Sequence, residues 1–148
     1  MASASPGISA EGLERALFIQ HNLIFNKGIS AGEIITTGSA DTLVAGFWSL
    51  LPFSRGSVHL RSQRTEDVDR PIIDPGFFRV PFDMQYFTAL GRLARTFWTE
   101  EPVKQIVAGF IRPDQQTLPL DASPDQWAAF ARTARECKLE TLELSQRY

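Results

Sequence analysis

The chain has 148 residues, 43% of them hydrophobic, and a formal net charge of −2. That is enough for one domain that buries about two-thirds of its unfolded surface. The scattered Lys and Arg leave no electrostatic footprint for nucleic acid, no apolar run approaches the ~20 residues that span a bilayer, and one cysteine with two histidines excludes an internal disulfide and argues against a metal centre.

Residues 1–9, rich in Ala, Ser, Pro and Gly, read as a disordered lead-in. They have no basic start and no apolar stretch, so no secretory signal is expected and the location reads as cytoplasmic. A helix is predicted from Glu11 to about Asn26, because Leu13, Ala16, Leu17, Gln20 and Ile24 fall at helical spacing and Gly28 sits at the C-terminal cap. Two strands are expected at 32–37 and 44–51, where β-branched and aromatic residues surround Gly38 and Gly46. Residues 56–62 read as a further strand, with Val58 and Leu60 inward and Ser57, His59 and Arg61 outward. Residues 63–70 are charged and turn-like. Ile72-Ile73 is a short strand ended by the turn Asp74-Pro75-Gly76.

The remainder reads as helical. Asp83 is placed to cap a helix whose apolar face is Met84, Phe87, Leu90, Ala94 and Phe97, with Arg92 and Arg95 turned elsewhere. Pro102 ends it and starts another, striped by Val103, Ile106, Val107 and Phe110. After a connection at 111–122, Ser123-Pro124-Asp125-Gln126 is a capping-box start, and Trp127, Phe130, Ala134 and Cys137 share the face that follows. Residues 134–147 contain good helix formers (Arg135, Glu136, Lys138, Leu139, Glu140, Leu142, Glu143, Leu144) and no Gly or Pro, so a helical tail is expected. Helix, strands, then helices give an α+β class, with an antiparallel sheet covered on one face by helices.

The ten glycines never occur as Gly-x-Gly, which argues against a dinucleotide site held by this chain alone. In Ser54-Arg55-Gly56-Ser57, Gly56 permits a tight turn and Arg55 can lock the loop by pairing with a carboxylate or with carbonyls. Neither serine has a nucleophile-elbow context. His21 and His59 read as solvated, Glu66, Asp67 and Asp69 as a charged loop, and Cys137 as a small buried apolar residue. Trp48, before a buried strand, reads as core packing or as a pocket wall.

The run from Leu50 to Ser62, followed by Pro71-Ile72-Ile73-Asp74-Pro75-Gly76-Phe77-Phe78, resembles the substrate-domain signature of the glucose–methanol–choline (GMC) flavin oxidoreductases, in the glucose oxidase and aryl-alcohol oxidase branch. The likeness extends from about Leu17 to Trp127, strongest from Trp48 to Leu60 and from Asp74 to Phe82. It implies a partial substrate-binding domain over 10–133 and a divergent tail over 134–148. It also implies that the positions of Trp48 and Ile35 border the substrate pocket, although an aromatic is common where Ile35 stands. Arg55 and Gly56 belong to its structural motif. The family's chemistry is hydride transfer from an alcohol carbon to FAD while a histidine takes the hydroxyl proton. No histidine follows His59, and the flavin fold is absent from the sequence. The expectation is therefore no cofactor bound by this chain, no catalytic residue by carry-over, and no activity alone. Expected partners are a small-molecule alcohol or apolar metabolite, and a complementing flavin-domain chain or self-association. The alternative is a stand-alone binding or accessory protein, or an enzyme repurposed for non-redox chemistry.

Overall fold

A computed structural model describes residues 9–38, 41–62, 64, 70–133 and 141–146, the last stretch by its backbone. The described residues fall into two compact units, one within Met1–Ala31 and Leu51–Asp83, the other within Gly32–Leu50 and Met84–Tyr148. The class is α+β.

The first unit begins with α1 (Ala10–His21), which runs into a π-type turn at Asn22–Asn26. Ser9, read from sequence as the end of the lead-in, is the helix cap: its Oγ accepts from Gly12 N at 3.0 Å. Gly28 closes the segment at φ +62°, as its position predicted. A two-stranded antiparallel hairpin follows, β3 (Ser57–His59) with β4 (Ile72–Asp74), registering Val58 opposite Ile73. The expected facing of β3 is reversed. Val58 is 68% exposed and Leu60 is also exposed, while Ser57 and His59 are half-buried. Alternation assigns residues to two faces but does not say which one is covered.

The second unit holds a four-stranded antiparallel sheet in the order β1-β2-β6-β5. Its strands are β1 (Gly32–Gly38), β2 (Thr42–Ser49), β5 (Val107–Arg112) and β6 (Thr141–Gln146). Helix α2 (Pro81–Thr99) has its first turn in the first unit and the rest here; α3 is Pro124–Thr133. One face of β2 carries Ala45 and Phe47 into a core built with Phe87, Leu90, Ala94 and Trp98 of α2 and Trp127 and Ala131 of α3. Phe47 lies 5.1 Å from Phe87 and 6.5 Å from Trp127, the latter edge-on. A Cβ at Gly91 would stand 2.6 Å from the Trp127 ring and 2.9 Å from the Phe47 ring. A mid-helix glycine costs roughly 1 kcal/mol against alanine; here it lets two aromatic rings seat against α2.

Three helical expectations are corrected. The segment after Pro102 is one 3₁₀ turn, Val103–Ile106, and then strand β5. β-branched Val107 and Ile111 suit an extended chain, and β6 supplies the backbone partners. The tail expected to be helical is strand β6 over 141–146, inserted between β2 and β5. Residues 134–140, with Ala134 and Cys137, lie outside the described residues. On α2, Met84, Phe87, Leu90 and Ala94 are buried as expected, but at its end Phe97 is 55% exposed and Arg95 is buried in its place. The capping box of α3 is as read: Gln126 N donates to Ser123 Oγ at 3.3 Å, and Ser123 N to Gln126 Oε1 at 2.8 Å. No helix among the described residues is long and apolar enough to cross a membrane.

Candidate functional site

The Pro52–Gly56 loop is held by polar groups that all belong to the first unit. Gln20, on the apolar side of α1 and itself buried, donates from Nε2 to Leu51 O at 2.8 Å and Pro52 O at 3.0 Å. Its Oε1 accepts from Arg55 Nη2 at 2.6 Å. Arg55 Nη1 donates to Ser54 O at 3.0 Å and also to Pro52 O. Both Arg55 terminal nitrogens are thus spent on the loop's own carbonyls and Gln20, which makes Arg55 a loop lock. Asp83 does not serve as the expected helix cap. α2 starts two residues earlier, and the buried Asp83 carboxylate accepts Phe53 N at 2.8 Å and Ser54 N at 2.6 Å. Ser54 Oγ in turn accepts Val80 N at 2.9 Å.

Gly56 packs backbone to backbone. A Cβ there would lie 2.3 Å from Asp74 O and 2.4 Å from Pro75 O. The turn it meets is tied by Gly76 N donating to Asp74 Oδ1 at 3.1 Å and by the Arg79–Asp74 ion pair.

Asp83→Asn retains one acceptor but turns an NH₂ toward one of the two loop N–H groups. The expected loss is about 2 kcal/mol, the cost of a buried donor left without an acceptor. Urea unfolding with Asp83→Asn beside the exposed control Asp125→Asn measures it; equal midpoints would contradict the loop-anchoring role.

Trp48 and Ile35 lie in the second unit, on the sheet face opposite Phe47. Trp48 registers across from Glu33 and Ile35 across from Gly46, so the two occupy diagonal positions on one face. Ile35 is 42% exposed and Trp48 half-buried. Gly46, itself buried, presents no side chain between them. Glu33, Thr37 and Val44 complete the same set of positions.

A concavity lies in the first unit, a groove of about 620 Å³ lined by Ala10, Leu13, Leu17, Phe18 and Phe53, with Glu14 and His21 as its polar groups. Among the described residues no cluster of His, Cys, Asp and Glu could hold a metal ion.

Residues 52–140 match the family model described as GMC oxidoreductase, more than half of the chain. The chain belongs to the GMC oxidoreductase family. It is 35% identical over 133 residues to a glucose oxidase-like protein, fsoC, of Humicola fuscoatra, covering 88% of this chain and 21% of that protein. It is 35% identical over 80 residues to glucose oxidase of Penicillium chrysogenum, covering 54% of this chain and 13% of that enzyme. The chain therefore spans about a fifth or less of the curated relatives it matches.

Proteins of the GMC family use FAD, and the described residues do not fit a dinucleotide cradle. Every described strand pair is antiparallel, and no strand–glycine turn–helix unit is present among them. The extended β6 removes one argument against a base near Trp48, since the tail is not helical at 141–146. The residue types still offer no histidine after His59. Gln20 and Asp83 were missed as loop anchors. Gln20 alone carried a signal, as an amide at an otherwise apolar helical position.

Proposed function

We propose that this GMC-family chain supplies a substrate-side wall, with Trp48 and Ile35 facing an alcohol, and that by itself it neither holds FAD nor oxidises that alcohol. The observation that carries this reading is the sheet face that Trp48 shares with the exposed Ile35, on the side away from the helices that bury Phe47. An aromatic beside an aliphatic side chain suits an apolar or weakly polar alcohol. Hydride acceptance and proton removal would come from a flavin-domain partner.

Titrating FAD into the purified chain is expected to leave flavin fluorescence anisotropy unchanged, and the preparation to show no visible flavin absorption. Aryl and aliphatic alcohols with added FAD are expected to give no peroxide. A yellow preparation with about one flavin per chain would overturn the reading.

The groove along α1 favours a second reading, a stand-alone binding or accessory protein. Its apolar walls with one carboxylate and one imidazole suit a small amphipathic metabolite. Ligand-induced shifts confined to Leu13, Leu17 and Phe53 in NMR spectra would favour it; shifts at Ile35 and Trp48 would favour the first.

A further inference from the structure

Arg95 is 3% exposed, and no carboxylate pairs with it among the described residues. Its Nη1 donates to Leu118 O at 2.6 Å and to Pro119 O at 3.3 Å, and its guanidinium carbon sits 4.6 Å from the centroid of the Phe110 ring. Burial holds the guanidinium below its ordinary pKa. The other two nitrogens, Nε and Nη2, are sealed from solvent and have no acceptor among the described residues, and the same is true of Trp98 Nε1. Arg95 and Trp98 stand three apart on α2, which places their Cβ atoms about 5–6 Å from each other on one side of the helix. All three atoms are donors, and no carboxylate among the described residues compensates the cation. A buried charge of this kind is strongly unfavourable unless something neutralises it.

We propose that the Nε–Nη2 edge of Arg95, together with the indole N–H of Trp98, is a buried receptor for a small carboxylate. The Nε–Nη2 edge of a guanidinium presents two parallel N–H bonds at the spacing of the two carboxylate oxygens. The Trp98 N–H supplies a third donor to the same anion. Because Nη1 is already committed to the carbonyls of Leu118 and Pro119, the ligand meets the guanidinium on its remaining edge. Leu118, whose carbonyl Arg95 holds, is itself fully buried, so uptake is slow and follows local opening. The site is independent of Trp48 and Ile35 and does not rest on the alcohol-oxidation reading.

The test uses acetate on the full chain, with chloride at matched ionic strength as the comparison. Three indole N–H resonances are available, from Trp48, Trp98 and Trp127. Acetate is expected to move the Trp98 resonance downfield and to raise Tm by about 5 °C when it is well above its Kd. Arg95→Met and Trp98→Phe are expected to flatten the Tm response. Trp98→Phe keeps the ring packing, so it remains informative if Arg95→Met does not fold. A Trp98 resonance that acetate leaves in place, an equal Tm response in wild type and Trp98→Phe, or an equal shift with chloride would each overturn the assignment.

Discussion

Gly56→Ala is expected to cost about 3 kcal/mol or more, because its new methyl group meets backbone rather than side chains. The added Cβ would lie 2.3 Å from Asp74 O and 2.4 Å from Pro75 O. Those carbonyls cannot move without disturbing the Asp74 turn, which Arg79 and Gly76 N both hold. Relief would shift the Pro52–Gly56 loop away from Gln20 and Asp83. Gly28→Ala is the control: it has φ +62° but nothing within 4 Å of the new Cβ, so it loses only the conformational term, about 1 kcal/mol. All three tryptophans lie in the second unit, so tryptophan fluorescence is a poor reporter here. Amide hydrogen exchange of α1 and residues 51–56 is the measurement. Gly56→Ala protection as high as that of Gly28→Ala would refute the close-packing account.

Trp127→Ala is expected to remove about 3–5 kcal/mol, a large share of the roughly 5–15 kcal/mol that holds a typical domain together. Trp127 is 2% exposed and touches the core from α3. Its ring seats against Phe47 and above Gly91, so truncation leaves a cavity bounded by a helix that already lacks a side chain at that point. Trp127→Phe fills part of the same space and is expected to recover more than half of the loss. Urea unfolding followed by far-UV circular dichroism gives the two midpoints. A Trp127→Ala midpoint within error of wild type would show that α3 does not close this core. Phe130, next along α3 and half-buried, serves as the comparison: Phe130→Ala is expected to cost distinctly less.

Local chemistry was enough for several elements. Ser123 and Gln126 cap α3 as their spacing required, because a capping box is satisfied within four residues. The loop at Arg55 and Gly56 was legible for a similar reason: a glycine that must turn and an arginine with carbonyls in reach define a lock wherever the loop is placed. The α+β class and the GMC family likewise followed from residues standing together in the chain.

Tertiary structure decided the rest. Thr141–Gln146 alternates apolar and polar residues around Leu142 and Leu144, yet it is also built from helix formers. Propensity differences are a few tenths of a kcal/mol per residue, and the outcome turned on two strands, β2 and β5, that are remote in sequence and offer it backbone partners on both sides. β5 became a strand for the same reason. The burial of Arg95, the exposure of Val58 and the use of Asp83 as a loop anchor depend on which side of an element is covered. Periodicity names the sides of a helix or strand; only the packing of distant segments chooses between them.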